Sequence, residues 1–360
     1  MIFSPRFVRG IVGTIFPDLR KTQKVNLGLA VFGQILSQST VLSEIVRRFP
    51  GDFKHKHKLK RLFRFVSNPR VKPERLMDLW TGWCIRRFTP GRYLSVALDW
   101  TTLPGNRPAL MASLLLSGRA VPLLWQMCDY SQIKDSTNRI EQRLISRLVN
   151  LLPSGKRLVL LADRGFGRAE LFRFLLAKNI LFAIRVAQKV RVTPVKGKAF
   201  LLSTLAKKLK PELPVWHERI SYRDDQVVSG LNLAAVVAKG STDPWLVVTN
   251  LRSCPRTIST YATRFHIEEG FKDMKHAVGF AGIRTHDSRR IRRLLLVTAV
   301  SQGLLMLVGR LAWRLKTVKQ RLISGGNQVC SRIWLAIEAI RYRLLLQPFW
   351  TRVRQVALGP

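Results

Sequence analysis

Two aspartates stand at the ends of apolar runs in a chain that is otherwise poor in acidic residues. Asp99 follows the run Leu94–Leu98, and Asp163 follows the run Leu158–Ala162. A carboxylate beside a buried strand is costly to desolvate unless it is paired or binds a metal ion. The carboxyl ends of strands are also where open α/β sheets place their functional sites. Both aspartates are therefore candidate metal ligands, although each one taken singly could be a turn or capping residue.

A third carboxylate lies within residues 261–275, where polar residues recur at helical spacing. On a continuous helix, which turns by about 100° per residue, four polar side chains fall within an arc of about 60° along roughly 21 Å: Tyr261, Arg264, Glu268 and Lys275. The adjacent stripe is apolar and can pack on a sheet. The alternative is an ordinary solvated helix face, on which Glu268 forms an ion pair with a neighbouring cation.

Three such carboxylates suit metal-dependent phosphoryl transfer on DNA. Asp99, Asp163 and Glu268 would hold two Mg²⁺ ions about 3.5–4 Å apart, one activating the attacking oxygen and one stabilising the leaving oxygen. Oxygen ligands suit hard cations, so Mn²⁺ could substitute for Mg²⁺. The cysteines form no CxxC or Cys/His pair, which argues against structural zinc and fits reduced thiols in a cytoplasmic protein.

Five further side chains are candidate DNA contacts. We expect Arg264 and Lys275 to bind phosphates near the scissile bond. Tyr261 could donate a hydrogen bond to a phosphate or stack on a base. Arg164 and Lys272 are weaker candidates for phosphate contacts.

The net charge points to a polyanionic partner. The chain has 62 Lys+Arg against 21 Asp+Glu, a formal charge of +41. Such a chain repels itself unless a polyanion neutralises it, so nucleic acid is the leading partner. The run Lys54–Arg61 opens a stretch without acidic residues, and we expect it to contact phosphates rather than to be a merely solvated run.

A membrane is the competing partner for a basic chain. The most apolar stretch, Leu294–Val308, is shorter than the roughly 20 residues that a span requires. It also contains polar residues and is flanked by arginines, as expected for a buried helix of a basic domain. The sequence therefore predicts no membrane association.

The order of predicted elements indicates the fold class. Residues 1–90 read as helical, with apolar residues at helical spacing over Val25–Phe49. The elements predicted next are strands Tyr93–Asp99, Ala109–Leu116 and Ala120–Trp125, helix Ser136–Leu152, strand Arg157–Asp163, helix Arg168–Lys178 and strand Ile180–Val186. Three strands, helix, strand, helix, strand is typical of mixed α/β folds with a central sheet, the ribonuclease-H-like fold among them.

The rest of the chain divides into a β-rich and a helical part. Strands are predicted over Lys189–Thr193, Arg219–Arg223, Leu231–Ala238 and Trp245–Asn250, and from Thr257 onward the pattern is helical. We therefore predict a helical, basic DNA-binding region (1–90), the first part of a catalytic domain (91–186), a mostly β insertion (187–255), the helix that completes the domain (256–285) and a helical, basic C-terminal region (286–360).

The spacing Tyr, two residues, Arg, three residues, Glu, six residues, Lys resembles the signature of a large branch of DDE-type bacterial transposases, those of the insertion sequence four type. Tyr261, Arg264, Glu268 and Lys275 match it without a gap. Asp99, followed by Trp and Thr, looks like the first aspartate of that family. Asp163, followed by Arg and Gly, looks like the second. The resemblance covers about residues 90–285.

The resemblance implies a ribonuclease-H-like, retroviral-integrase-like catalytic domain interrupted by the β insertion. It implies cut-and-paste movement of an insertion sequence, in which water nicks the element's end and the freed 3′-OH attacks again. The implied partners are double-stranded DNA, both the terminal inverted repeats and the target, and a second copy of the chain in a synaptic complex. Two other functions use the same sequence features: a DDE-type nuclease that cuts without joining, and a non-catalytic DNA-binding relative.

Overall fold

The computed structural model describes residues 3–129, 137–223, 225–322, 331–342 and 347–359. Ser136, where the sequence predicts a helix to begin, lies outside these ranges. So do residues 323–330 and 343–346 of the predicted C-terminal helical region.

Helices fill the N-terminal part of the chain, as the sequence predicts: α1 (Pro5–Ile15), α2 (Lys21–Ser37), α3 (Leu42–Arg47), α4 (His55–Ser67) and α5 (Pro73–Phe88). The pattern over Val25–Phe49 is nevertheless split, because Gln38 takes a left-handed conformation (φ 52°) that ends α2. Its carbonyl abuts Gly279, which has no side chain to clash there. The basic run Lys54–Arg61 forms the start of α4.

The first strands appear in the predicted order: β1 (Tyr93–Leu103), β2 (Arg107–Leu116), β3 (Arg119–Met127), β4 (Arg157–Ala162) and β5 (Leu181–Arg185). Helix α6 (Thr137–Asn150) precedes β4, and α7 (Ala169–Ala177) follows it. Strands β1, β4 and β5 are parallel, while β2 is antiparallel to both β1 and β3. The strand order is β3-β2-β1-β4-β5. The sequence prediction of three strands, helix, strand, helix, strand is confirmed.

The following segment continues the same sheet. Its elements are β6 (Arg191–Thr193), β7 (Phe200–Leu201), α8 (Leu202–Lys208), β8 (Val215–Tyr222), β9 (Val228–Val236) and β10 (Trp245–Thr249). Strand β10 pairs antiparallel with β5, and the order continues β10-β9-β8-β6-β7. The sequence predicted the β-rich character, but not β7, α8 or the pairing that joins this segment to the central sheet.

The C-terminal part is helical, as predicted, but interrupted. Its helices are α9 (Cys254–Ala262), α10 (His266–Lys272), α11 (Ser288–Ala312), α12 (Lys316–Leu322), α13 (Arg332–Arg341) and α14 (Gln347–Leu358). Within the described ranges, α11 alone is long and apolar enough to cross a membrane. Most of it is packed inside the protein, with 94% of its apolar window buried. It is the core helix that the sequence predicts over Leu294–Val308.

The edge strand β3 is covered by helices on its outer side. Trp80 and Thr81 of α5 donate hydrogen bonds to the carbonyls of Pro122 and Leu123. Gln302 of α11 donates from one amide nitrogen to the carbonyls of Ala120 and Gly270, each at 3.0 Å. These side chains satisfy backbone groups that an uncovered edge would expose. Gln302 also fastens α10 to the sheet, because Gly270 lies within that helix.

Replacing Gln302 with leucine should destabilise the protein by about 2 kcal/mol, since two buried carbonyls would lose their donor at nearly unchanged side-chain volume. Urea unfolding measures the loss. Gln355→Leu, at an exposed position of α14, is the matched control and should change stability by less than about 0.5 kcal/mol. Equal effects of the two substitutions would show that the buried amide does not fasten α10 and β3.

Candidate active site

Asp99 and Asp163 lie side by side because of the pairing of β1 with β4. The two strands are parallel, and Leu98 is opposite Ala162 in the register. Asp99 and Asp163 are the residues that follow this pair, so they lie next to each other where β4 ends and β1 continues to Leu103. Both are half-buried. Asp163 Oδ1 also accepts a hydrogen bond from Gly165 N at 2.9 Å, which closes the turn that follows β4.

The charges of three carboxylates act on one another at this edge. The pKa of Asp99 is raised from its ordinary value of 3.8 to about 6, first by burial and then by the negative charge of Asp163. Glu268 raises the pKa of Asp99 further, whereas the Arg264 guanidinium lowers it. The two aspartates and the glutamate that the sequence singled out are therefore near enough for their charges to affect the pKa of Asp99.

Glu268 faces a buried arginine. Its Oε1 accepts a hydrogen bond from Arg264 at 2.8 Å, with the glutamate side chain half-exposed and the arginine side chain 8% exposed. The guanidinium also lies 4.5 Å from the centre of the Phe265 ring. The ion pair that the sequence left open as an alternative is thus present. Despite this ion pair Glu268 still belongs to the candidate site, because the same guanidinium also lowers the pKa of Asp99.

The helix that carries Glu268 is not the continuous α-helix that the sequence predicted over residues 261–275. Helix α9 ends at Ala262, a 3₁₀ turn spans Thr263–Phe265, α10 follows, and a π turn spans Asp273–Ala277. A 3₁₀ turn winds more tightly than an α-helix and a π turn more loosely. The side chains therefore depart from the predicted common arc.

Tyr261 shows the consequence most clearly. It is fully buried, with its ring 5.3 Å from Trp245 and 6.3 Å from Phe265. Burial raises the pKa of its hydroxyl, and the nearby Arg264 guanidinium lowers it. The prediction that Tyr261 stacks on a base or contacts a phosphate is wrong for this conformation, because the ring belongs to the core. The Arg264 guanidinium lies 5.9 Å from its ring centre, so Tyr261 forms part of the wall behind that cation.

The other predicted phosphate contacts are more accessible. Lys275 is half-buried in the π turn. Lys272 is exposed and donates to Glu269 Oε1 at 2.6 Å. Arg164 is exposed, with Asp243 Oδ2 at 3.9 Å. These three cations lie on different elements, and none of them contacts Asp99 or Asp163 among the interactions that the described residues make.

Sequence reasoning missed the residues that seat α10 on the sheet. Arg119 of β3 forms ion pairs with Glu269 at 2.9 Å and with Asp273 at 3.0 Å. Burial raises the pKa of Asp273 to about 6, against the lowering effect of Arg119. A Cβ at Gly270 would lie 2.9 Å from the Ala120 carbonyl oxygen, so only glycine allows this close approach. The Glu269–Asp273 spacing was visible in the sequence, but nothing there paired it with Arg119.

The residues fit a hard divalent cation by chemistry. Their donors are carboxylate oxygens, which Mg²⁺ and Mn²⁺ prefer. Burial and clustered negative charge make ionised Asp99 unfavourable, and a cation beside it would offset both effects. In the described part of the chain no three His, Cys, Asp or Glu side chains already stand at ligating positions. Glu268 would have to exchange Arg264 for a metal ion to join Asp99 and Asp163.

Stability should fall between about pH 4 and pH 6.5 through Asp99, measured without metal in the presence of a chelator. The folded chain holds this proton up to about pH 6, while the unfolded chain releases it near 3.8, so raising the pH favours unfolding. Asp99→Asn should therefore lose less stability than the wild type over this range in urea unfolding. Asp52→Asn, in an exposed loop, is the control. An unchanged pH response in Asp99→Asn would contradict the raised pKa.

Comparison with known proteins agrees with this arrangement. The family model described as the transposase DDE domain matches residues 90–302, which is more than half of the chain. The matched residues contain β1, β4 and α10, and hence all three carboxylates. A search of curated proteins found no match. The chain belongs to the family of transposases with a DDE domain.

Proposed function

We propose that this protein is a transposase that moves an insertion sequence by cut-and-paste, with Asp99, Asp163 and Glu268 as its catalytic carboxylates. One observation carries the proposal. Parallel pairing of β1 with β4 aligns Asp99 with Asp163, and the charge of Glu268 raises the pKa of the same Asp99. End cleavage and strand transfer are both phosphoryl transfers, so one set of carboxylates can serve both.

The proposal includes a ribonuclease-H-like catalytic domain of the insertion sequence four branch. It is supported by the strand order β3-β2-β1-β4-β5, in which β2 alone is antiparallel to both of its neighbours. It is also supported by the spacing of Tyr261, Arg264, Glu268 and Lys275. The domain divisions predicted from the sequence, at 90, 186, 255 and 285, form part of the same proposal.

Asp99, Asp163 and Glu268 would hold the metal ions, which we propose to be two Mg²⁺ with Mn²⁺ as a substitute. Bound there, such ions supply activation of the attacking oxygen and stabilisation of the leaving oxygen. The protein's own contribution is to hold the two aspartates on rigid neighbouring strands. The raised pKa of Asp99 means that a cation is needed for this carboxylate to be fully ionised in weakly acidic solution.

Arg264 has two roles in this proposal. Without DNA it neutralises Glu268 and acts on Asp99, which lowers the repulsion within the carboxylate cluster. With DNA bound, its guanidinium can turn from Glu268 to a phosphate, because both are acceptors of bidentate hydrogen bonds. Tyr261 then acts by supporting Arg264 from the core rather than by contacting DNA. Lys275, Lys272 and Arg164 remain the proposed phosphate contacts at the rim.

Double-stranded DNA is the proposed substrate, as terminal inverted repeats and as target, with two copies of the chain in the synaptic complex. The formal charge of +41 supports it. So does a groove of about 520 Å³ between α2 and α4, whose lining includes several basic side chains and no carboxylate: His57, Lys60, Arg61 and Arg64. Arg61 is held in place by Asn26 at 2.7 Å.

Each of Asp99→Ala, Asp163→Ala and Glu268→Ala should lower DNA cleavage and joining by at least about 100-fold. Loss of a partner one layer outside a metal site costs 10- to 100-fold, and these residues are the proposed ligands themselves. Cleavage and joining are measured on purified protein with the DNA that flanks its coding region and Mg²⁺. Glu218→Ala, in β8, removes a carboxylate far along the sheet and should keep activity.

The same assay separates the proposed functions. If the wild-type protein cleaves DNA but does not join it, the protein is a nuclease and not a transposase. Wild-type activity in all three alanine variants would overturn the assignment of the catalytic residues.

The double variant Lys60→Ala/Arg64→Ala should bind DNA more weakly and with less salt dependence. Each lost phosphate contact reduces the slope of log affinity against log salt by about 0.9, so the slope should shrink by about 1.8. Fluorescence anisotropy at several salt concentrations gives the slope. Lys207→Ala/Lys208→Ala on α8 removes the same charge from exposed positions. An equal change of slope in both double variants would show that the groove has no special role.

A further inference from the structure

A buried glutamate lies behind the two aspartates and has no part in the chemistry proposed above. Glu141 of α6 is 0% exposed. Each of its carboxylate oxygens has its own partner from a different element. Oε1 accepts a hydrogen bond from Trp100 Nε1 at 3.1 Å, and Oε2 accepts one from the Arg168 guanidinium. A carboxylate is costly to bury, and here both oxygens are satisfied.

The first partner of Glu141, Trp100, is next to Asp99 on the same strand. Trp100 is the residue after Asp99 on β1, and neighbouring residues of a strand point to opposite faces of the sheet. The hydrogen bond from Trp100 to Glu141 therefore ties β1 to α6 from the face opposite to the Asp99 side chain. It restrains the backbone of β1 at the point where Asp99 leaves it.

The second partner of Glu141, Arg168, is linked to Asp163 through Gly165. Arg168 donates to the carbonyl of Gly165, and its Nε donates to Asn138 Oδ1 at 2.6 Å. Gly165 N in turn donates to Asp163 Oδ1 at 2.9 Å. Arg168 thus holds the turn that orients the Asp163 carboxylate, and Glu141 and Asn138 of α6 hold Arg168.

We propose that Glu141 is a positioning residue that sets the separation of the Asp99 and Asp163 carboxylates through Trp100 and Arg168. A single buried side chain connects the part of β1 beside Asp99 with the turn beside Asp163, so its loss frees both aspartates at once. The proposal rests on the proposed function in taking Asp99 and Asp163 as metal ligands. Glu141 itself does not touch metal or DNA.

The test uses the full chain and titrates it with Mn²⁺ alone by isothermal calorimetry. Glu141→Gln keeps the volume and an acceptor for Trp100 but removes the charge that holds Arg168. It should weaken Mn²⁺ binding by roughly 10-fold, the lower end of effects seen one layer outside a metal site. Trp100→Phe, which removes only the other hydrogen bond, should also weaken Mn²⁺ binding. DNA affinity without metal should stay unchanged in both variants.

Gln34→Leu is the control for loss of a buried polar network. Gln34 is also 0% exposed and joins Thr298 and Ser301 of α11 at 2.8 Å each. Its loss should lower the melting temperature without changing Mn²⁺ affinity. If Gln34→Leu and Glu141→Gln both weaken Mn²⁺ binding in proportion to the stability that they lose, Glu141 has only a structural role. That result would overturn the proposal.

Asp99→Ala distinguishes a failure of the positioning role of Glu141 from a failure of the metal site. If it abolishes Mn²⁺ binding while Glu141→Gln binds Mn²⁺ as the wild type does, the positioning role is wrong and the metal site stands. If Asp99→Ala binds Mn²⁺ as the wild type does, the metal site is wrong and the positioning role falls with it. Weakened binding in Glu141→Gln, with full loss in Asp99→Ala, supports both.

Discussion

Repulsion between the carboxylates on the central strands of a buried sheet is the constraint on which the site depends. Because β1 pairs in parallel with β4, Asp99 and Asp163 must lie next to each other. The cost is visible in the pKa of Asp99, raised to about 6 by burial and by its neighbours. Arg264 relieves part of this cost in the protein alone. A divalent cation would relieve the rest, which supports the proposed metal site.

The third carboxylate comes from a different part of the chain and needs its own anchors. Arg119 pairs with two acidic residues on the α10 side, and Gln302 bridges Ala120 and Gly270. Both anchors join the helix to β3 rather than to the strands that carry the aspartates. Glu268 is therefore held through its helix backbone, while its side chain stays free to exchange partners. Aspartates held on paired strands and a glutamate held only through its helix are consistent with the proposed binding of both metal and DNA.

Much of the central fold was predictable because its signals are local. Apolar runs ending in Asp99 and Asp163 predicted two strands, and both formed. The prediction that the first strand ends at Asp99 is wrong, because β1 continues to Leu103 in its pairing with β2, whereas β4 does end just before Asp163. The continuity of residues 261–275 was wrongly predicted, because the break depends on contacts made far along the chain. Gly270 meets Ala120, and Tyr261 is covered by Trp245 of β10, a strand whose pairing with β5 no local pattern predicts. Glu141 was missed for the same reason, since its partners are distant in sequence.

A crystal structure of the full chain soaked with Mn²⁺, with anomalous scattering recorded at the manganese edge, tests the central claim most directly. An anomalous peak should lie within coordination distance of the carboxylates of both Asp99 and Asp163. Such a peak would establish that the charge cluster on β1 and after β4 is a metal site. Peaks only elsewhere at saturating Mn²⁺, with the two aspartates still without a metal ion, would contradict it.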